Sequence, residues 1–357
     1  SVGAGCGSIV WVDNGGMLRV GPNSAGADPG PACYRRGGKR PTITDAHVIR
    51  GTIRPEAFLG GAMSIDATAS AEAFAELAQR FGVNLPDMAE SVIGLAIGNI
   101  VRAIQLVSTE RGRDPRDYVL VAFGGAGPLH AAKIAEDLGI DTILVPPYAG
   151  VISAYGLLAA DYRIFETMTK RLPVDDAAPG QVRDVFQAMS ERASVRLREL
   201  GLDPGRAALT LTAEMRFLGQ AFEVPVDLSA EDVARVGVGL LVERFAIAHH
   251  RVYRHDSSNR LGTEIVSFRL GAVVAESSAP PLRINRDGPS GAVRPHRIYE
   301  GKQSVEAHAL ARAALHAGQR IDGPAVLDDP TSTIHVPPGW YAACDEHDNL
   351  LIRRNAA

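Results

Sequence analysis

The run Val121-Ala122-Phe123-Gly124-Gly125-Ala126-Gly127-Pro128-Leu129-His130-Ala131 holds the residue pattern best suited to ligand chemistry in this chain. A β-branched and aromatic stretch stops at Gly-Gly-Ala-Gly and then opens into a helical pattern. Glycines at such a turn let the main chain approach a ligand without Cβ obstruction, and the helix behind them presents unpaired N–H groups and a positive dipole end. Gly124, Gly125, Ala126 and Gly127 are therefore candidates for holding a nucleoside through backbone donors; the alternative is a plain tight turn. The spacing is neither G-x-G-x-x-G nor a Walker A loop with its Lys-Ser/Thr.

A second glycine group, Gly3, Gly5 and Gly7 with Ser8, could approach phosphates or substrate by the same backbone chemistry, or simply form a strand-entry loop around a buried Cys6 thiol. Asp28, Tyr34 and Asp45 are the polar residues near a long Gly/Pro-rich loop most apt to face a cleft. Asp45 would orient substrate or water, or help cap a helix starting near Ala46. Glu110, with Ser108, ends a long helix running toward the glycine turn and is either a site residue or a solvated helix end. Asp28, Cys33 and His47 form only a loosely spaced metal set, so no metal site is assigned. His130 either contacts a nucleotide or packs under the glycine turn. Arg216, Gln220 and Glu223 read as a structural ion-pair group, and His249-His250 suit the negative end of a helix.

These residues need a scaffold. Residues 8–12 and 17–20 alternate around Asp13-Asn14-Gly15-Gly16 and predict a hairpin, followed by an ordered loop over 21–41. Ser70 is placed as the cap of a helix that ends at Gly82, and a second helix over 87–110 aligns Ile93, Ile97, Ile100, Ile104 and Val107. Val119–Phe123 as a buried strand, a helix over 128–138 and a buried strand Thr142–Val145 together predict a parallel crossover. A helix over 151–159 follows. Beyond residue 170 come a helix over 182–200, strands near 209–217 and 222–226, a helical stretch near 230–249 and a strand over 265–274. Short β runs then fill 325–352. Three parts are expected: 1–170, 171–276 and 277–357, with the linker Ser277–Arg294, carrying Pro280, Pro281, Pro289 and Gly291, as the clearest boundary.

The chain has 357 residues, enough to bury a substantial core, and a net charge of −4 with no basic block, which argues against nucleic acid or an anionic membrane as main partner. Cys6, Cys33 and Cys344 lack C-x-x-C spacing, so neither a disulfide framework nor a closed zinc site is expected, and a reducing cytoplasm fits. The apolar stretches contain charges or are too short, and no membrane span is read. The opening glycine loop lacks the strand such a loop normally follows, so the sequence reads as the later part of a longer polypeptide.

Several segments taken together resemble the hydantoinase A/5-oxoprolinase family, also seen in the ATP-using subunits of acetone and acetophenone carboxylases. They are Ser1–Ile9, Ser24–Tyr34, Pro41–Ala46, Glu110-Arg111-Gly112 with Asp114-Pro115-Arg116, the Gly124–His130 turn, Arg216–Gln220 with Glu223, Gly323–Val326 and Val336–Trp340. The similarity runs from the first residue almost to the last, with Cys6 where a glycine is more usual. It implies an α/β chain: half of an actin-like, ribonuclease H-like ATPase, then an α+β domain and a small β-rich C-terminal domain. The activity it implies is ATP-dependent opening of a cyclic amide, a hydantoin, an N-methylhydantoin or 5-oxoproline, by phosphorylation of the carbonyl oxygen. ATP and Mg²⁺ are the implied cofactors. The resemblance leaves open a ketone carboxylase subunit, or an inactive piece that assembles with a hydantoinase B-type partner. In this reading Gly124–Gly127 hold adenosine, Gly5, Gly7 and Ser8 approach phosphate, and Asp28, Asp45 and Glu110 are the catalytic candidates. Family members carry two Asp-Gly-Gly-Thr phosphate loops ahead of the Ser1–Ser8 segment, and neither occurs in this sequence, so the chain alone is expected to be inactive.

Overall fold

Turn chemistry starts the fold. The Asp13 carboxylate accepts from the amides of Gly15 and Met17, both at 2.9 Å, and Gly16 closes the reversal at φ +81°. This pins β1 (Ser8–Val12) antiparallel to β2 (Leu18–Ser24), so the second strand runs four residues into what the sequence suggested was loop. The computed structural model describes residues 3, 5–253, 262–275, 282–284 and 293–355. The expected linker with Pro280, Pro281, Pro289 and Gly291 lies largely outside them.

Three helices follow, each with a side-chain cap. Thr42 caps α1 (Ile43–Arg50) in a reciprocal box with Asp45, Asp66 caps α2 (Ala67–Phe81) through two amides, and Asn84 caps α3 (Leu85–Val107). Ser70, expected as a cap, sits inside α2 and is buried. The buried stripe of α3 is Met88, Ala89, Val92, Ile93, Ala96 and Ile97; beyond it Ile100 and Ile104 are half-buried and Val107 is exposed. By length and composition the stretch Leu85–Arg111 is apolar enough to cross a membrane, a property the sequence reading denied it. It nevertheless carries Glu90 and Arg102, and its first half packs in the protein core.

The crossover comes next: β3 (Leu120–Val121), α4 (Gly127–Leu138) and β4 (Thr142–Val145), with β3 and β4 parallel. β3 is shorter than the five residues expected and is not buried. Val119, Val121 and Phe123, alternate residues on one face of this edge strand, are 52%, 50% and 53% exposed. α5 (Ile152–Ala159) follows.

Contacts divide the chain into two units, Leu157–Ala279 and the remainder, Ser1–Gly156 with Pro280–Ala357. The inserted unit contains β5 (Tyr162–Pro173), α6 (Ala178–Glu199), β6 (Ala208–Phe217), β7 (Val224–Leu228), α7 (Ala230–Ala234), α8 (Val238–Tyr253) and β8 (Thr263–Val274). Its antiparallel sheet has the order β5-β8-β6-β7. Val182, Phe186 and Met189 of α6 and Leu241 and Phe245 of α8 share a buried core with Phe268 and Leu270 of β8. β5 escaped the sequence reading because Glu166 and Lys170 interrupt its apolar face. Arg216 pairs with Glu264 at 2.8 Å, a structural role for that motif.

The last seven strands return to the first unit: β9 (Arg294–Glu300), β10 (Gln303–Ala311), β11 (Arg320–Asp322), β12 (Ala325–Asp329), β13 (Ser332–Val336), β14 (Trp340–Cys344) and β15 (Leu350–Arg354). They build one sheet of order β13-β12-β10-β9 and complete another of order β11-β14-β15-β4-β3. The strands expected as a separate β-rich domain over 277–357 are therefore part of the α/β core. β15 occupies the free edge of β4, with Ile352 opposite Ile143, and both are fully buried. Arg312 reinforces the join, donating to the carbonyls of Val145 at 2.9 Å and Pro146 at 2.7 Å. Strand partners so distant leave no local signal, which is why composition suggested boundaries at 170 and 276.

Candidate active site

A cavity of about 710 Å³ opens within the first unit, where the glycine turn enters α4. Gly124, Gly125, Ala126 and Gly127 form one side, and Ile100, Ile104, Leu120 and Val121 an apolar second side. The β12–β13 turn, Asp329-Pro330-Thr331, completes it.

The geometry of the glycine turn separates its members. Gly124 has φ +81°, a conformation open to glycine, and its N–H already donates to the Ala149 carbonyl at 2.8 Å. Gly124 thus shapes the turn and is not an amide donor to a ligand. Behind it, α4 has no side-chain cap: Ala126 occupies the N-cap position and Pro128 follows in the first turn. That contrasts with α1, α2 and α3 and leaves the helix's positive end facing the cavity. A Cβ on Gly125 would meet only the Thr331 carbonyl at 3.7 Å, whereas one on Gly150 would collide with that carbonyl. The β12–β13 turn is therefore seated directly on the glycine segment.

The other sequence candidates divide. Gly5 lines the cavity with Cys6, Tyr34 and Thr44, while Gly7 and Ser8 do not. Ser8 begins β1 and donates to the Gly3 carbonyl at 3.1 Å, and a Cβ on Gly7 would lie 2.7 Å from Ser24 Oγ. Asp28 is exposed and off the cavity. Asp45 is fully buried and accepts from the amides of Ala32 (3.2 Å), Cys33 (2.9 Å) and Thr42 (3.0 Å) and from the hydroxyls of Thr42 and Ser70, both at 2.8 Å. Its carboxylate ties loop, α1 and α2 together, which consumes the acceptor capacity a catalytic role would need. Glu110 is exposed in a 3₁₀ turn away from the cavity. The loose set Asp28, Cys33 and His47 is split, since Asp28 is exposed and the other two are fully buried. Among the described residues no group of three His, Cys, Asp or Glu side chains could hold a metal ion. Asp329 is the carboxylate at the cavity, and its Oδ1 accepts from the Thr331 amide at 3.1 Å while Arg312 lies 3.5 Å from Oδ2. These residues do not fit a Mg²⁺ site, which needs several open oxygen positions.

Burial keeps the other polar walls uncharged. The Cys6 thiol and the Tyr34 hydroxyl are each pushed up to about 12, mainly by desolvation. His130 is lowered to about 4 by burial and by nearby Arg50 and His335.

Comparison with known proteins agrees with this layout. The hydantoinase/oxoprolinase profile matches residues 1–166 and the hydantoinase/oxoprolinase C-terminal domain profile matches residues 174–355. The chain belongs to the hydantoinase/oxoprolinase family. It is 33% identical to the caprolactamase subunit alpha of Pseudomonas jessenii over 97% of this chain and 51% of that one. A nucleotide-free structure of acetone carboxylase superposes with a TM-score of 0.81 at 25% identity, over 98% of this chain and 52% of that one. The crystal structure of the ATP-dependent caprolactamase from the same Pseudomonas gives 0.71 at 30% identity, over 99% and 52%. The chain thus spans about half the length of these relatives, and its mixed α/β architecture is that of the family's ATPases.

The Asp329–Thr333 segment went unnoticed in the sequence. Asp-Pro-Thr reads only as a turn, and nothing local places it about 200 residues away in sequence against Gly125.

Proposed function

We propose that this chain forms the nucleoside-holding part of an enzyme that uses ATP to open a cyclic amide. The observation that carries the reading is the uncapped, glycine-led start of α4 at the mouth of a 710 Å³ cavity, in a family whose relatives include an ATP-dependent caprolactamase. The adenosine would lie along Gly125–Gly127, between the helix end and the Thr331 turn. The amide oxygen then attacks the γ-phosphorus, an O–P bond forms and ADP leaves. Water adds to the activated carbon, the ring C–N bond breaks as nitrogen takes up a proton, and a second water hydrolyses the resulting acyl phosphate to release phosphate and the carboxylate. Among the described residues, no group able to neutralise the γ-phosphate or hold Mg²⁺ lies at this cavity. We infer that such groups come from the half of the family's length that this chain does not span, and that a hydantoinase B-type subunit completes the hydrolytic site. A cytoplasmic enzyme suits three cysteines that form no disulfide.

The higher superposition score with acetone carboxylase favours a second reading, the ATP-using subunit of a ketone carboxylase. ADP release by the intact protein, assayed with hydantoin, caprolactam, 5-oxoproline or a ketone plus bicarbonate, separates the two. For the nucleotide site itself, Gly125→Leu is the direct test. The Cβ is tolerated at ordinary contact distance, so the fold should survive while the larger side chain enters the cavity and weakens ATP binding about tenfold or more. Unchanged ATP affinity in Gly125→Leu rules the site out.

A further inference from the structure

His130 lines the same cavity yet is only 1% exposed, and its Nδ1 has no hydrogen-bond partner. Buried polar atoms are rarely left unpaired, so an orphan at a cavity wall calls for an explanation. The rest of the ring is held firmly. His130 Nε2 meets His47 Nε2 at 3.2 Å, with the rings edge-on at a centroid distance of 5.0 Å, and His47 Nδ1 meets Thr52 Oγ1 at 2.7 Å.

The hydrogen positions follow from this chain of contacts. Assigning the Thr52 hydroxyl proton to the His47 carbonyl at 3.4 Å makes His47 Nδ1 the donor in the 2.7 Å contact. His47 Nε2 is then a lone pair, and His130 Nε2 must carry the hydrogen between the rings. His130 Nδ1 is left as a bare acceptor. Both rings are neutral at neutral pH, since burial lowers each of them. Arg50 and His335 nearby lower both rings further.

We propose that His130 Nδ1 recognises the bound ligand by accepting one of its N–H or O–H groups, in an orientation fixed by His47 and Thr52. This rests on the nucleotide reading of the cavity and deepens it. A nucleoside offers two such donors there, the exocyclic amine of adenine and a ribose hydroxyl, whereas its phosphates offer none. His130 is in this sense a specificity residue for the nucleoside end.

The test uses the intact protein and ATP, with calorimetric titration of the wild type, His130→Asn and His130→Gln. Asparagine keeps a polar group where Nδ1 lies and glutamine keeps one where Nε2 lies. ATP binding should stay within about twofold in His130→Asn and weaken about tenfold in His130→Gln, the size of one buried hydrogen bond. ITP, which lacks the amine, and 2′-deoxy-ATP identify the donor: whichever binds about tenfold more weakly to the wild type should lose that penalty in His130→Gln. Nitrogen NMR of the wild-type ring provides a check independent of folding in the variants. It should show hydrogen on Nε2 of His130 and a shift of Nδ1 when ATP is added. Equal ATP affinity in all three proteins, or an Nδ1 resonance indifferent to ATP, overturns the proposal while leaving nucleotide binding intact. Absence of ATP binding by the wild type overturns the nucleotide reading with it.

Discussion

The five-stranded sheet β11-β14-β15-β4-β3 has two unlike ends. Toward β14 and β15 it is a finished interior: Trp340, Ala342, Leu350 and Ile352 are buried with Ile143 and Val145, and the Trp340 indole donates to Glu136 at 3.0 Å. Toward β3 it stops. Val119, Val121 and Phe123 have the composition of a strand covered on both faces, yet half of each is exposed. Parallel strands are usually buried on both sides, so a parallel strand with an apolar run at an open edge has the makeup of a central one. The difference supports the reading that the remaining length of the family's chains covers this edge, while the closed end carries the stability of the unit.

The closed end should therefore be the most sensitive to truncation. Trp340→Ala removes a fully packed indole and leaves Glu136 without that donor, and is expected to cost about 3–5 kcal/mol in urea denaturation. A loss below ~1 kcal/mol would mean that β14 does not anchor the sheet.

Acid should attack the same unit next. His47, His130 and His335 are all buried and held below their usual range by desolvation, His130 to about 4. In the unfolded chain these rings gain protons as pH falls through ~6.5, but in the folded protein they resist. Stability is thus fully present above that value and declines as pH drops toward the folded value. For His130 alone the loss at pH 5 is about 2 kcal/mol. Urea midpoints at pH 7.5 and pH 5 should show the decline, and His130→Asn should show less of it. A midpoint flat across that range would mean these rings are charged or hydrated in the fold.

What the sequence disclosed follows the range of each interaction. The strand Thr142–Val145, the hairpin turn at Asp13–Gly16 and the end of α2 at Gly82 are local events, decided by periodicity or turn residues, and were legible. The glycine turn could be found because a strand-to-helix junction is also local. Asp45 could not be resolved from Thr44-Asp45 alone: its role depends on Ala32, Cys33 and Ser70, which arrive from a loop and another helix. Nor could Thr331 over Gly150, or β15 beside β4, because strand order across some two hundred residues leaves no mark on composition. β3 teaches a subtler point. Its apolar run describes the environment for which the strand is composed, so the sequence pointed to burial that this chain by itself does not provide.

That last point sets the smallest expected effect and the most informative one. Val121 faces Leu144 across β3 and β4 but is half exposed, so Val121→Lys removes little packing. In this chain alone the change should alter stability by no more than ~0.5 kcal/mol, in the range of surface substitutions. Lysine at an edge strand also obstructs strand addition. If the edge is covered in the intact protein, the same substitution buries an unpaired charge there, and its cost should rise to several kcal/mol. Denaturation of the two forms side by side measures the ratio. Equal small costs in both would show that β3 is a true edge, and that the apolar run is then unexplained by a covering polypeptide.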